Sequence, residues 1–284
     1  MLSAVLPFVD IFGLRLHPYG ILIVAGVILG LTWFAAQRGR SPALDFEDRW
    51  YWALIYAHIL GGVLGGKIGF FIVEWRDFSA PPWDILLYDW NSGWVHWFEV
   101  IGAIACGWLC LRLYNRAHRP RRYAPYGDYG AAALALGLWI GRLACLCAGC
   151  CHGRPAGLPW AIRFTSPASS VAENMLGIPL HPTQLYEAGT VLVLCLFLMF
   201  YMLPRIERGR LARGSAFYGY LILYSAIRFG VEFFRGDDRG RLLWLPDFLS
   251  PAQWIALACG LTAGFLFWRQ GIVGHPGQRR SIYV

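Results

Sequence analysis

Low-complexity stretches, convincing internal repeats and long linkers are all missing from this 284-residue sequence, which predicts one integral domain over residues 1–284. The N-terminus lacks a basic n-region, its first positive charge being Arg15, so residues 1–16 do not read as a cleavable signal peptide and are expected to form an interfacial segment. Charge is scarce as well: Asp, Glu, Lys and Arg make up 15% of the chain, and Lys67 is the only lysine. Apolar mass stands in its place. Hydrophobic residues reach 57%, above the roughly 45–50% of ordinary globular proteins, and the excess needs lipid.

The runs 19–37, 130–141, 188–203, 216–227 and 254–268 carry no charge. With their flanks, several reach the roughly 17–25 residues that span a bilayer. Two further runs are less clean: 50–73 is interrupted by Lys67, and 94–111 contains His96 and Glu99. The expectation is an all-α, polytopic membrane protein with seven transmembrane helices. Alternate connections hold most of the 25 basic residues: Arg38, Arg40 and Arg49; Arg112, Arg116, Arg119, Arg121 and Arg122; Arg205, Arg208, Arg210 and Arg213; Arg269, Arg279 and Arg280. The opposite connections have Arg15, Arg76, Arg154, Arg163, Arg235, Arg239 and Arg241. The positive-inside rule then places the N-terminus outside and the C-terminus in the cytoplasm. Because these charges fall in short turns, the basic pI reflects topology and nucleic acid is not an expected partner. Trp50, Trp75, Trp254 and Trp268 fit an interfacial aromatic belt.

Within the second run, Gly61, Gly62, Gly65, Gly66 and Gly69 overlay GxxxG spacings that let a neighbouring helix or a lipid headgroup approach the backbone; helix packing is the favoured reading. Lys67 is expected to snorkel from the outer end of that span. Arg142 and Arg228 lie at membrane depth, where a charge costs at least about 2.5–3.5 kcal/mol on insertion scales. Arg228 and Glu232, four apart, share a helix face and can pair; Tyr224 is four residues before Arg228 on that face. Arg142 has no acidic residue within ten positions, so its partner comes from another helix or from a ligand, for which a phosphate suits the planar guanidinium.

Cys145, Cys147, Cys150, Cys151 and His152 form a cluster that could ligate zinc or exchange thiols. One nearby histidine and no second C-x-x-C favour small residues lining a tight turn, so no metal and no cofactor are expected. After the cluster comes a connection of about 35 residues, too long for a mere link and expected to be an extracytoplasmic cover over a site. It ends in His181-Pro182-Thr183-Gln184-Leu185-Tyr186-Glu187.

Taken in order, His17-Pro18-Tyr19-Gly20, the Gly-rich span, Asp128, Gly141-Arg142, Gly149, Gly153-Arg154, Pro159-Trp160-Ala161, the His181–Glu187 segment and Tyr224 through Arg228 to Glu232 and Arg235 resemble the prolipoprotein diacylglyceryl transferase family. The resemblance implies seven helices in a bacterial inner membrane. It also implies transfer of the sn-1,2-diacylglyceryl group from phosphatidylglycerol to the lipobox cysteine of a preprolipoprotein. Arg142 and Arg228 match the family's essential arginines and Tyr19 and Tyr224 its lipid-site tyrosines; His17, Gly141, Cys145, Gly153, His181, Tyr186, Glu187, Glu232 and Arg235 complete the implied substrate-binding set.

The sequence departs from the family in three places. Classical members follow the Gly-Arg pair with Gly-Asn-Phe-x-Asn-Gly-Glu; here Cys145 and Cys150 stand where that asparagine and glutamate would be. Trp97 occupies the position of a histidine proposed to deprotonate the acceptor, with His96, the catalytic candidate, one residue and about 100° away on a helix. Leu180 stands where relatives often have arginine. Two other readings compete with the transferase: a membrane thiol or metal protein built on the cysteine cluster, and an anionic-lipid carrier, which the lack of repeated halves disfavours.

Overall fold

The computed structural model describes residues 2–3, 8–11, 14–74, 95–237 and 248–269. Trp75, Arg76, Arg239, Arg241, Arg279 and Arg280, used above for the belt and the charge balance, lie outside the described residues, as does much of the expected interfacial segment. Seven long helices are described: α1 (Pro18–Ala36), α2 (Asp48–Glu74), α3 (His96–Ala117), α4 (Tyr123–Ala148), α5 (Thr183–Glu207), α6 (Ser215–Glu232) and α7 (Pro251–Arg269). All but α6 are long and apolar enough to cross a membrane. α6 corresponds to the expected sixth span, and its last turn carries Arg228 and Glu232.

The outer faces are apolar. Val24 and Ile28 on α1, Tyr56 and Leu60 on α2, and Val193 and Phe200 on α5 are exposed, an arrangement that water would penalise and lipid would not. Lipid gives no hydrophobic drive between helices, so close backbone approach carries the packing. A Cβ on Gly26 would lie 2.9 Å from the Gly137 carbonyl oxygen, and one on Gly30 2.9 Å from that of Ala133, fixing α1 on α4. Gly61 and Gly65 of α2 meet Gly102 and the Phe98 carbonyl of α3 in the same way. The Gly-rich span therefore packs a helix, as favoured. Lys67 departs from expectation: it is 3% exposed and points into protein, so it does not snorkel.

Two local devices set the heights of the site helices. α5 contains a π segment, Phe197–Met202, whose wider turn accommodates Pro204; in a regular helix that ring would strike the carbonyl four residues back. α6 starts after left-handed Gly214 (φ 95°) with no side-chain cap of its own. Asp128, near the start of α4, supplies the cap. Its carboxylate accepts hydrogen bonds from the backbone N–H groups of Gly214 (2.6 Å), Ala216 (2.8 Å) and Phe217 (2.9 Å).

Between α4 and α5 the chain forms a folded cap. Strand β4 (Ile162–Arg163) pairs antiparallel with β5 (Pro179–Leu180) and parallel with β1 (Leu2–Ser3); a separate hairpin joins β2 (Val9–Ile11) and β3 (Leu14–Leu16). Ile162, Phe164, Val171 and Leu180 give the cap its own small core. Leu180, where relatives often have arginine, is fully buried in it, which explains why an apolar residue is suited there.

Candidate functional site

The site lies under the cap, where α4 and α6 end and α3 and α5 begin. Arg142 and Arg228 are 8% and 5% exposed, on the last turns of α4 and α6. Arg142 meets fully buried Glu187 of α5, with Nε 3.1 Å from Oε1. That is an ion pair without hydrogen-bond alignment, since Nε has no acceptor. The partner of Arg142 is thus found on another helix. Glu187 Oε1 also accepts the Tyr224 hydroxyl at 2.9 Å, so Tyr224 is turned to the carboxylate rather than to the guanidinium four residues on.

Arg228 and Glu232 do pair, at 2.5 Å, while Nη1 of Arg228 is buried without a hydrogen-bond acceptor. Arg235 lies 3.9 Å from Glu232 and grips Asp237 through two bonds of 2.9 and 2.7 Å. Burial pushes the Asp237 carboxyl up, against the opposing pull of Arg235. Three arginines therefore share one pocket of charge with Glu187, Glu232 and Asp237. Two N–H donors, on Arg142 and Arg228, are left over.

His96 is brought to this site despite its register. Its ring meets Tyr224 edge-on at 5.6 Å, its Nδ1 is 2.8 Å from Glu99, and its Nε2 is buried with no partner. Trp97 packs on the other part of the same phenol, centroids 5.2 Å apart. Tyr19, on the first turn of α1, lies within electrostatic reach of Glu99 and of Cys145, Cys150 and Cys151.

Other expected residues build the cap. The backbone N–H of Gly153 donates to His181, and a Cβ there would lie 2.6 Å from the His181 carbonyl oxygen and 2.7 Å from that of Phe234. Gly153 also bridges to Arg235. The His181 ring and the Tyr186 hydroxyl are 3.2 Å apart, and Trp160 donates its indole N–H to that hydroxyl at 2.9 Å. A Cβ on Gly141 would meet Ile23 of α1 at 3.7 Å, an ordinary contact. His17 is exposed, its ring edge-on to Phe8 at 4.4 Å, and no contact to the arginine group is found for it among the described residues.

Three of the four cysteines that the sequence clusters come together. The sulfurs of Cys145, Cys150 and Cys151 all lie within 4.8 Å of one another, and Arg142 Nη1 is 3.8 Å from Cys151 Sγ. Left-handed Gly149 (φ 78°) ends α4, and Cys151 (φ 62°) has the one left-handed backbone among described non-glycine residues. Residues that had no assigned role hold this turn: Thr183 Oγ1 donates to the Cys151 carbonyl at 2.6 Å and Gln184 Nε2 to that of Cys150 at 2.8 Å. Contact with the Cys145 and Cys150 sulfurs, then the charges of Arg235 and Arg142, hold the Cys151 thiol well below its usual range against burial; contact with the Cys145 and Cys151 sulfurs, then burial, pushes Cys150 up. Elsewhere, a cleft of about 900 Å³ opens between α3, α6 and α7 and reaches the site only at Trp97, so the cleft and the charged chemistry are separate features.

A bundle of apolar helices that gathers buried guanidinium groups under a folded cap defines a multi-pass membrane protein. Its sequence matches the family model for "Prolipoprotein diacylglyceryl transferase" over residues 7–269. It is similar to a phosphatidylglycerol–prolipoprotein diacylglyceryl transferase 2 of Clostridium perfringens, 34% identical over 87% of this chain and 88% of the relative. It is also similar to phosphatidylglycerol–prolipoprotein diacylglyceryl transferases of Clostridium tetani (30%; 91% and 94%) and Ruegeria pomeroyi (31%; 93% and 90%). The chain belongs to the prolipoprotein diacylglyceryl transferase family.

Proposed function

We infer that the chain is a phosphatidylglycerol–prolipoprotein diacylglyceryl transferase acting as a single integral domain in a bacterial inner membrane. Seven helices span that membrane, with the N-terminus and the cap outside and the C-terminus in the cytoplasm. The acceptor is the lipobox cysteine of a preprolipoprotein. The reading is carried by the two leftover buried donors, Arg142 Nε and Arg228 Nη1. A buried guanidinium N–H without an acceptor is costly, and a phosphodiester entering between α4 and α6 supplies the missing oxygens.

In the reaction the acceptor sulfur forms a bond to the glyceryl carbon, the carbon–oxygen bond to phosphate breaks, and the electron pair leaves on glycerol phosphate. Arg142 and Arg228 stabilise the charge that grows on that phosphate, an interaction stronger in the transition state than in the ground state. Glu187, Glu232 and Arg235 hold the guanidinium groups in place. His96, with Nδ1 toward Glu99, presents Nε2 to take the thiol proton. Tyr19 and Tyr224 line the lipid site, Cys145 faces the headgroup, and the cap formed through Gly153, His181 and Tyr186 excludes water from the departing phosphate.

Purified protein incubated with phosphatidylglycerol and a synthetic lipobox peptide should give a thioether-lipidated peptide by mass spectrometry, and Arg142→Ala should abolish it. Lipidation that survives Arg142→Ala would overturn the role given to this residue; lipid movement without a covalent product would favour a carrier.

A further inference from the structure

The sulfur group of Cys145, Cys150 and Cys151 sits beside the arginines, yet apart from Cys145 facing the headgroup the transferase reading gives it no task. Three features distinguish it from packing. The sulfurs converge within 4.8 Å. The vicinal pair is turned by a left-handed backbone at Cys151, a conformation held where surrounding structure over-determines it. The carbonyls of both vicinal residues are fixed by buried Thr183 and Gln184 from the start of α5, which locks the turn as outer-shell partners lock metal ligands.

Sulfurs sharing one zinc ion at about 2.3 Å stand roughly 3.8 Å apart in tetrahedral geometry. The three sulfurs, all within 4.8 Å of one another, are already within about 1 Å of that spacing. Softer thiolate ligands select zinc over magnesium or calcium. Three protein ligands are the number that leaves a fourth position open to substrate. Three thiolates and one zinc ion carry a net single negative charge, and Arg142, 3.8 Å from Cys151, lies alongside to offset it.

We propose that Cys145, Cys150 and Cys151 bind a zinc ion whose open fourth position takes the acceptor cysteine and presents it as a thiolate to the lipid. The proposal rests on the transferase reading and adds how its nucleophile is activated. On binding, the acceptor thiol gives its proton to His96 Nε2 or to water and its sulfur bonds to zinc, since a coordinating thiol is deprotonated outright. That sulfur then forms the bond to the glyceryl carbon, the carbon–oxygen bond breaks, glycerol phosphate leaves with the electron pair, and the thioether, a poorer ligand, departs from zinc. Nothing is oxidised or reduced. The geometry suits the step: the Arg142 guanidinium that meets the phosphate also lies 3.8 Å from the Cys151 sulfur, so the thiol group and the phosphate share one neighbour. It also accounts for thiols standing where classical members carry asparagine and glutamate, in a chain with Trp97 at the usual histidine position.

The test is metal analysis of the intact protein purified in detergent under reducing conditions with zinc, followed by exchange to cobalt. One zinc per chain is expected, lost in Cys150→Ser and Cys145→Ser and kept in Cys147→Ser, whose sulfur is outside the group. The cobalt form should show a thiolate-to-metal charge-transfer band that strengthens when a peptide with a single acceptor cysteine is added and not when that cysteine is serine. No bound metal, metal retained in both cluster variants, or a Cys145–Cys150 disulfide in the isolated protein would overturn the site. A cobalt spectrum indifferent to the peptide would overturn acceptor activation. Lipidation assayed in parallel separates the two readings: full activity in metal-free, chelator-treated protein removes the zinc proposal and leaves the transferase standing. A metal-loaded protein that binds the peptide sulfur but never lipidates it leaves the site and removes the transfer.

Discussion

Replacing Glu187 by glutamine keeps an oxygen for the Tyr224 hydroxyl and removes the charge that faces Arg142. At 3.1 Å and an effective dielectric of ~20, the gross attraction removed is about 5 kcal/mol. Glu187 is fully buried, and the fields of Arg228 and Arg235 also fall on it, so no water replaces what is lost. Removing one partner of such a pair costs about 3–5 kcal/mol because an uncompensated charge stays behind. Arg142→Gln should cost no more than that, because Glu187 keeps the Tyr224 hydroxyl and the fields of Arg228 and Arg235. The double variant should cost less than the sum, with a coupling of about 2–3 kcal/mol. Reversible denaturant unfolding in detergent, followed by tryptophan fluorescence, measures all four corners of the cycle. If the two losses add to within about 0.5 kcal/mol, the pair does not interact and the electrostatic account of the site fails. Lipidation supplies a second reading: Glu187→Gln should retain measurable transfer, since both phosphate-facing guanidinium groups remain, while both variants lacking Arg142 should show none.

Further outcomes follow from neighbouring features. His96→Ala should slow lipidation roughly 10²-fold near pH 7, the lower end for a general base, and recover as pH rises past about 8.5, where free thiols ionise unaided; an unchanged pH profile would remove His96 from the proton path. Gly65→Val should destabilise the α2–α3 pair by several kcal/mol, because its side chain would drive into the Phe98 carbonyl, and should lower the yield of folded protein in membranes; normal yield would contradict the packing described. Trp160→Phe removes one indole donor to Tyr186 at the exposed cap and should change stability by no more than about 1 kcal/mol while raising the KM for peptide; an unchanged KM would exclude the cap from peptide contact.

The helices were legible because lipid demands long apolar runs, and the runs around 19–37 and 188–203 became α1 and α5 at nearly those positions. Arg228 and Glu232 were legible as a pair because both lie one turn apart on a single helix. The partner of Arg142 was not, since Glu187 is 45 positions later and only the packing of α5 on α4 brings it near. Lys67 misled because its place at the end of an apolar run says nothing about which side of α2 meets protein. The thiol cluster was legible from its spacing, but its geometry was not. Cys145 is on a helix and Cys150 and Cys151 are beyond it, so their meeting depends on two left-handed residues and on two side chains from α5. Spacing rules do not encode such a turn.

Asp128 has a consequence for how the enzyme meets different membranes. It ties α6 to α4 at the far end of the bundle, about 14 residues and roughly 21 Å of helix before Arg228. The offset between Arg142 and Arg228 is thereby measured from a common datum at the opposite end of α4 and α6. When acyl chains lengthen or shorten, helices accommodate the mismatch by tilting, and α4 and α6 must then tilt together. A shared tilt changes the depth of the site more than it changes the spacing of the two cations.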